Sequence, residues 1–222
     1  MPVEIPRNMF KSRLHAGPCQ VGFWSTLGSP VVSEVLGLAG FDWIAFDTEH
    51  GPADPYTTLL QLQALAGTAT SGCVRIASND PVLAKKALDI GAQTLIVPQV
   101  DSAADARRAI AATLFPPAGT RGVSTTARAG RYGAVTDYPH RADAEICVVI
   151  MIESAAALRA LPEIIEVEGV DAILFGPQDL AADMGFLARP GTPDVVTAIE
   201  QALALILARG KSPGVAVGNE AD

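Results

Sequence analysis

Polar side chains able to do chemistry follow four short apolar runs of this 222-residue sequence. One run ends in an acidic turn with a histidine, the next ends in an arginine, and two later runs are followed by further carboxylates. In a barrel of parallel strands the carboxyl ends of the strands share one face, where catalytic groups collect. The sequence therefore predicts a single mouth formed by Asp47, Glu49, His50, Arg75, Glu153, Gly176, Pro177, Gln178 and Asp179.

Glu153 and Asp179 follow consecutive runs and form the predicted metal site. Neighbouring parallel strands lie about 4.8 Å apart, so both carboxylates can reach one cation. Two hard oxygen ligands, with room left for water and substrate, suit Mg²⁺, Mn²⁺ or Co²⁺. The alternative is that Glu153 caps the following helix and Asp179 begins the next one.

His50 and Arg75 are the predicted proton-transfer and anion-binding groups. A neutral imidazole near physiological pH makes a suitable general base. Arg75 would be a costly buried charge unless an anion or a carboxylate meets it, and a salt bridge to Asp47 or Glu49 is the alternative to a substrate. Asp89, late in the helix after the third strand, has by itself the pattern of an ordinary solvated helix carboxylate.

The elements that must position these residues alternate along nearly the whole chain, apolar strand-like runs with helix-period segments. Helix starts are marked by capping residues before proline, as in Ser29-Pro30 and Asp54-Pro55. Because no Gly-x-Gly-x-x-Gly follows the first strand, a (β/α)8 TIM barrel is favoured over a dinucleotide-binding fold. The predicted strands are Val21–Thr26, Trp43–Thr48, Cys73–Ala77, Thr94–Val100, Ile146–Ile152, Ala172–Phe175 and Val215–Val217.

Seven strands are one fewer than a closed barrel needs, so we expect the eighth unit to be missing from residues 1–222, which are predicted to form a single domain. A barrel without its eighth strand would leave two strand edges unpaired. We therefore expect the physiological protein to continue past Asp222 with a short apolar strand and helices that pack on a neighbouring subunit. The long irregular segment 115–145 is expected to be functional, the alternative being a disordered insertion.

Composition limits the classes of partner. The net charge of −8 and the lack of a Lys/Arg-rich run argue against nucleic acid and a polybasic membrane contact, and favour a small-molecule substrate. No apolar run approaches the roughly 18 residues that span a bilayer, and the polar start lacks a secretory signal, which predicts a cytoplasmic protein. Cys19, Cys73 and Cys147 are predicted to be free thiols.

Ordered motifs along nearly the whole chain resemble the class II pyruvate aldolases of the HpcH/HpaI type. These motifs are GFDWIAFDTEHGP (40–52), VRIASNDP (74–81), GAQTLIVPQV (91–100), FPPAGTRGVS (115–124), IES (152–154) and GVDAILFGPQDLAADMG (169–185). The resemblance implies cleavage of a 4-hydroxy-2-oxo acid, such as 4-hydroxy-2-oxoheptanedioate or a 2-keto-3-deoxy sugar acid, to pyruvate and an aldehyde. It also implies that Glu153 and Asp179 bind the divalent metal, that His50 is the base and that Arg75 stabilises the enolate.

Further roles follow from the same resemblance. Asp89 stands where a carboxylate raises the basicity of the histidine, Asp47 supports the same pocket, and backbone at Gly176 to Gln178 would meet the pyruvate carboxylate. The family typically forms a hexamer, so a homo-oligomer is expected. The sequence departs from the family at Met151, where a glutamine that contacts substrate is common, and Met cannot replace that hydrogen bonding.

Three other functions compete with this interpretation. A citrate or malyl-thioester lyase shares the barrel and the metal carboxylate pair, but the Asp-x-Glu-His-Gly-Pro turn is more similar to the free-acid aldolases. A Schiff-base aldolase needs a lysine inside the barrel, and the four lysines fall outside the apolar strand interiors. A catalytically idle barrel that serves as a binding subunit is the third alternative.

Overall fold

A computed structural model describes residues 3–14 and 17–218, and its framework is one parallel sheet. The described strands, in chain order and in sheet order alike, are β1 Gly22–Ser25, β2 Trp43–Asp47, β3 Ser71–Arg75, β4 Thr94–Val97, β5 Cys147–Ile152, β6 Ala172–Phe175 and β7 Ser212–Val215. The helices are α1 Met9–Arg13, α2 Pro30–Gly37, α3 Pro55–Leu65, α4 Pro81–Asp89, α5 Ala103–Thr113, α6 Tyr138–Arg141, α7 Ala155–Ile165, α8 Pro177–Asp183 and α9 Pro193–Ala208. Two 3₁₀ turns, Arg128–Gly133 and Ala142–Glu145, flank α6.

The sheet curls into a half-barrel rather than a closed one. Within the described residues β1 and β7 are its two edges and do not pair with each other. The predicted class, an α/β fold with a TIM-like parallel sheet, is confirmed, whereas a closed eight-stranded barrel is not observed. A cavity of about 670 Å³ inside the curl is lined by α1, by inward-facing strand side chains and by β7.

Side chains of each strand alternate between two cores. Ile44 and Phe46 point outwards and pack against the surrounding helices, while Ala45 points into the curl. On β5, Ile150 is on the outer side and Met151 on the inner side. Both faces of the sheet are therefore buried, which explains why the strands have continuous apolar sequences.

The last strand begins earlier in the chain than the sequence pattern predicts. The sequence pattern indicated Val215–Val217, but β7 begins at Ser212 and includes Pro213 and Gly214. Proline has no N–H to donate to a sheet, so it argues against a central strand. Within the described residues β6 is the strand that pairs with β7, and an edge strand tolerates proline because its backbone pairs with a strand on one side only.

Most predicted helix starts are confirmed by cap hydrogen bonds. The side chains of Ser29, Asp54, Asp80, Ser102 and Ser154 each accept from a backbone N–H in the first turn of the helix that follows. Thr192 is the exception, because its hydroxyl donates to the carbonyl of Arg189 and makes no cap bond. None of the described helices is both long enough and apolar enough to cross a bilayer.

Segment 115–145 is ordered by a small core of its own, which excludes the disordered alternative. Phe115, Val135 and Tyr138 pack together there. The guanidinium of Arg128 donates to the carbonyl of Ile90 at 2.7 Å, just beyond the end of α4. The segment thus packs at the far end of α4 from β3, away from the carboxyl ends of the strands.

Candidate active site

Strand alternation brings the predicted polar residues to one mouth. Successive side chains of a strand alternate between the two faces of the sheet, so residues two positions apart face the same side. The residue two positions before each of four predicted site residues lies in the inner core, and the site residue therefore faces the inside of the curl as well. Asp47 and Arg75 are in register on neighbouring strands, and Gly176 follows the register pair Ile152 and Phe175. The inner-core residues that lead to Asp47, Arg75, Glu153 and Gly176 are Ala45, Cys73, Met151 and Leu174 respectively.

Arg75 is held by two carboxylates at the ends of β2 and β3. Its Nε and Nη2 donate to Oδ1 and Oδ2 of Asp47, at 2.9 and 2.5 Å. Its Nη1 lies 2.8 Å from Oε2 of Glu49 as an ion pair without hydrogen-bond geometry. Arg75 and Asp47 are 6% and 2% exposed, so the salt bridges considered from the sequence are present and buried.

Asp47 also organises the turn that carries the histidine. Its Oδ1 accepts the backbone N–H groups of Glu49 at 3.0 Å and His50 at 3.2 Å, and its Oδ2 accepts Trp24 Nε1–H at 3.2 Å. Burial alone would raise the pKa of Asp47, but the hydrogen bonds and charge of Arg75, with the two backbone N–H groups, outweigh it and hold the pKa below its ordinary value.

The turn closes at Gly51, where a side chain has no room. A Cβ on Gly51 would lie 2.3 Å from the carbonyl oxygen of Asp47. His50 is exposed at the rim of the mouth. Glu49 points inwards, and burial raises its pKa. The charges of Asp47 and Asp179 add to that rise, and those of Arg75 and His50 oppose it.

Glu153, at the end of β5, meets little positive charge. Its Oε1 accepts the backbone N–H of Gln99 at 2.7 Å. Burial raises its pKa, and the nearby charges of Glu49 and Asp179 raise it further, while the Gln99 N–H and Arg75 oppose the rise. A Cβ on Gly176 would lie 3.2 Å from Oε2 of Glu153, so glycine keeps that oxygen open towards β6.

The helix-cap alternative for Glu153 is wrong, because Ser154 is the residue whose side chain caps α7. Asp179 does lie in the first turn of the seven-residue helix α8, where it is exposed. Its charge raises the pKa of both Glu49 and Glu153, so Asp179 lies near both acids. The predicted pair therefore meets at the mouth, together with a third acid.

Backbone donors at the end of β6 are fewer than the sequence suggested. The N–H of Gly176 donates to the carbonyl of Ile152 at 3.2 Å, and Pro177 has no N–H. Of the segment from Gly176 to Gln178, only the N–H of Gln178 is left to meet a substrate carboxylate. Gln178 is exposed at the mouth.

The structure does not bring Asp89 to His50 within this chain. Asp89 is the last residue of α4, and the helix runs back from the carboxyl end of β3 towards the opposite end of the sheet. There its carboxylate accepts from Arg121 Nη2 at 3.1 Å. A pairing of His50 with Asp89 of the same chain is therefore absent.

Gln99 and Trp24 are site residues that the sequence did not reveal. Gln99 follows Pro98 at the end of β4, between Arg75 and Glu153, and it has a left-handed backbone with φ of 58°. Trp24, on β1, bonds Asp47 and lies under the Arg75 guanidinium, 4.8 Å from Cζ to the ring centre. Neither side chain is ionisable, so a pattern of charged residues at strand ends does not indicate them.

The mouth suits a divalent cation bound by few protein ligands. No group of three or more His, Cys, Asp or Glu side chains in the described part of the chain is arranged to hold a metal ion. Glu153 and Asp179 instead offer two carboxylates whose mutual repulsion a cation would relieve, with an open glycine beside one of them. Such a set leaves coordination positions for water and substrate, as in catalytic oxygen-ligand sites.

A half-barrel whose strand ends carry a histidine, an arginine and paired carboxylates has the arrangement of a barrel enzyme, in which catalytic groups lie at the carboxyl ends of the strands. The chain belongs to the HpcH/HpaI aldolase/citrate lyase family, whose model matches residues 20–219. The predicted family is thereby confirmed.

Two relatives and one solved structure are similar to this chain over most of its length. The chain is 48% identical over 218 residues to a pyruvate aldolase of Rhizobium etli, covering 98% of this chain and 86% of that protein. It is 48% identical over 214 residues to a 4-hydroxy-2-oxo-heptane-1,7-dioate aldolase of Escherichia coli, covering 96% and 82%. A crystal structure of an HpcH/HpaI aldolase/citrate lyase family protein from Burkholderia cenocepacia is similar with a TM-score of 0.94 and 38% identity, covering 96% of this chain and 86% of that one.

Proposed function

We propose that this chain is a metal-dependent aldolase that reversibly cleaves a 4-hydroxy-2-oxo acid to pyruvate and an aldehyde. The observation that carries the proposal is a difference in charge between two pairs of side chains at one mouth. The negative charge of Asp47 is balanced by its two bonds from Arg75, whereas Glu153 and Asp179 are two neighbouring carboxylates that are not balanced in this way. Relatives at 48% identity are named aldolases, which are carbon–carbon lyases, and this supports the same reaction class.

Glu153 and Asp179 would hold the divalent cation. When bound, such a cation acts as a Lewis acid that draws electron density from the 2-oxo group of the substrate. The Gln99 N–H keeps Oε1 of Glu153 in a fixed direction, so that Oε2 is the oxygen presented to the site. Mg²⁺, Mn²⁺ and Co²⁺ all accept this ligand set.

His50 would act on the proton of the substrate. In the cleavage direction the imidazole accepts the proton of the C4 hydroxyl, and C4 becomes the aldehyde carbon. The electron pair of the C3–C4 bond moves to C3 and gives the enolate of pyruvate, which a proton then converts to pyruvate. The exposed position of His50, on a turn fixed through Asp47, suits exchange of that proton with water.

Arg75, oriented by Asp47, would place its guanidinium near the developing enolate. Because both Nε and Nη2 of Arg75 are bonded to Asp47, the guanidinium is oriented before substrate arrives. The backbone N–H of Gln178, in the first turn of α8, would meet the substrate carboxylate at the end of β6. Asp89 of the same chain has no part in this arrangement.

Metal dependence is the decisive test. Chelation should abolish pyruvate release from a panel of 4-hydroxy-2-oxo acids, and adding Mg²⁺, Mn²⁺ or Co²⁺ should restore it. Full activity in metal-free protein would exclude this class of aldolase. Turnover of a thioester in place of the free acids would indicate the citrate or malyl-thioester type of lyase instead, and no turnover at all would indicate an idle barrel.

The role of His50 has its own test. His50→Ala should lower kcat by about 10²–10⁴ and remove the rising limb of the pH–rate profile. An unchanged profile would exclude His50 as the base. The single domain and the homo-oligomer are parts of the same proposal, and light scattering coupled to size exclusion would measure whether the assembly is a hexamer.

A further inference from the structure

A second cavity lies at the opposite end of the sheet from the mouth. It has a volume of about 280 Å³ and is lined by the N-terminal segment 5–9 and by part of the irregular segment 115–145. Ser71, which begins β3, and Gln93 and Ile146, which directly precede β4 and β5, also line it. The cavity is therefore at the amino ends of three strands, an end of the sheet that the proposed aldol chemistry does not use.

Three arginines line this cavity, although the whole chain has a net charge of −8. They are Arg7, Arg128 and Arg131, called the arginine cluster below, and the ion pairs within the described residues include none of them. The described lining residues include one acid, Glu145, whose Oε2 accepts the backbone N–H of Asn8 at 2.5 Å. The cavity thus has an excess of positive charge, opposite in sign to the chain as a whole.

Arg128 is the half-buried member of the arginine cluster. Its guanidinium lies over Gly91, where a Cβ would come within 2.4 Å of Nη1. Burial lowers the pKa of Arg128, Tyr132 opposes that change, and the charge of Arg131 adds to it, while no described carboxylate contributes. A charge that is partly removed from water in this way is costly unless an anion meets it.

Capping of α4 accounts for only part of the Arg128 guanidinium. Nη1 donates to the carbonyl of Ile90, just beyond the end of the helix, and a cation is favourable at a helix C-terminus. A guanidinium has several further N–H donors, and within the described residues this is the one hydrogen bond that Arg128 makes. The remaining donors are available to a ligand in the cavity.

The backbone around Arg131 holds the arginine cluster together at a cost. Arg131 and Tyr132 have φ of 53° and 57°, a left-handed conformation that is unfavourable for residues with a Cβ. Residues in such conformations persist where the surrounding structure imposes them, and they concentrate at ligand sites. Here the conformation keeps Arg131 near a second arginine whose charge repels it.

We infer that the arginine cluster binds a small anion with two or more negative charges, either a phosphate or a dicarboxylate. Such an anion would relieve the repulsion between Arg128 and Arg131 and would accept charge-assisted hydrogen bonds from both. Tyr138, on the same cavity wall, accepts from Arg121 Nη2 at 3.4 Å, so its own O–H can donate as well. The site gives segment 115–145 a function apart from the mouth and does not depend on the aldolase proposal.

Isothermal titration of the metal-free full chain tests the inference, with inorganic phosphate, succinate and acetate as probes. Removing the metal prevents the anions from binding through a cation at the mouth, and a mildly alkaline buffer of fixed ionic strength keeps phosphate as a dianion. Phosphate, succinate or both should bind, and acetate should bind at least about tenfold more weakly, because it carries a single charge. At a saturating concentration the bound anion should raise Tm by about 3 °C or more.

Each outcome of the titration decides something. Binding of phosphate alone or of succinate alone supports the inference and identifies which kind of anion the cavity takes. Equal binding of all three probes would show only a general attraction for anions and would overturn it. No binding of phosphate or succinate would mean that another group, such as an acidic side chain of a second copy of the chain, meets the arginines, and this would also overturn it.

Single substitutions locate the anion at the cavity. Arg7→Met and Arg131→Met should each raise Kd by about tenfold, and because both residues are exposed the Tm without anion should stay at the native value. Arg128→Met should abolish binding and also lower Tm, since it removes the bond to Ile90. Arg159→Met, the same loss of charge at an exposed position on α7, should keep the native Kd. A native Kd in both Arg7→Met and Arg131→Met would show that the anion binds elsewhere on the chain.

Discussion

The two carboxylate pairs of the mouth differ in how their charge is compensated. On the β2–β3 side, Asp47 receives two bonds from Arg75, two backbone N–H bonds and one indole N–H bond. On the β5–β6 side, Glu153 receives one backbone N–H and faces the charges of two other acids. The pKa of Asp47 is accordingly lowered, and that of Glu153 is raised.

This difference assigns separate tasks to the two sides. The Asp47–Arg75 pair is complete without a ligand, so it can hold the His50 turn and the guanidinium in place before substrate arrives. At Glu153, burial and the charges of Glu49 and Asp179 oppose the ionised form, and an added cation would relieve that opposition, as expected of a cation site. We therefore expect the β2–β3 side to position groups and the β5–β6 side to bind the cation.

The largest expected effect is on the binding side. Glu153→Ala or Asp179→Ala should remove cation binding and lower kcat/KM by about 10³-fold or more, since Lewis-acid assistance amounts to several kcal/mol. Isothermal titration with Mn²⁺ and the pyruvate-release assay measure the two effects. Glu163→Ala, at an exposed position on α7, is the matched control. Retained Mn²⁺ affinity in both site variants would mean that the cation binds elsewhere.

Next in size is the loss of the positioning pair. Asp47→Ala leaves Arg75 buried and without its main partner, and breaking a buried ion pair in this way costs about 3–5 kcal/mol of unfolding free energy. Urea denaturation of the metal-free protein measures this cost. Asp137→Ala removes an exposed ion pair with Arg141, and its cost should stay within about 1 kcal/mol. Equal losses for the two variants would contradict the buried pairing.

The sequence places Glu153 and Asp179 near each other more firmly than it identifies the partners of Arg75, and the metal-binding role of that pair stays a prediction. Glu153 follows β5 directly and Asp179 lies in the first turn of α8, just after β6, so the order of strands is enough to place them near each other. The ion-pair partner of Arg75 depends on which anion its guanidinium reaches. Strand order leaves Asp47, Glu49 and a substrate carboxylate as equal candidates. Only side-chain geometry distinguishes among them.

Other features depended on geometry that residue types do not encode. Gln99 enters the site through a left-handed backbone after β4, and glutamine gives no signal for that conformation. Pro213 and Gly214 indicated a strand break, yet they lie in an edge strand that tolerates them. Asp89 was assigned by family position, and strand–helix topology places it at the opposite end of the sheet from His50.

A smaller effect separates transition-state from ground-state roles of Arg75. Arg75→Ala should lower kcat by about 10²–10³, the scale for loss of one preorganised donor to a developing oxyanion. Arg75→Lys retains charge but cannot make the two parallel bonds to Asp47, so it should recover only part of kcat. A change confined to KM would mean that Arg75 binds only ground-state carboxylate.

The smallest expected effect tests, in the absence of metal, the difference in charge compensation between the two sides of the mouth. Glu153→Gln removes a carboxylate whose ionisation is opposed by burial and by two neighbouring acids. At neutral pH and with chelator present, the variant should therefore have a Tm higher than the native protein by a few degrees. Glu163→Gln, on the exposed side of α7, should show no change. The same Glu153→Gln protein should lack metal-dependent activity, so stability and function move in opposite directions.

The pH dependence of the Tm difference between Glu153→Gln and the native protein tests whether the charge of Glu153 causes it. The pKa of Glu153 is raised in the folded protein from an ordinary value of 4.5, so the folded state binds the proton more tightly than the unfolded state does. Its contribution to stability is fully present below the unfolded pKa and is lost as pH rises through the folded pKa. The Tm advantage of Glu153→Gln should accordingly be near zero at acid pH and grow above it. An advantage that shrinks with rising pH would indicate that Glu153 is stabilised as a carboxylate, as Asp47 is, and the contrast between the two sides of the mouth would fail.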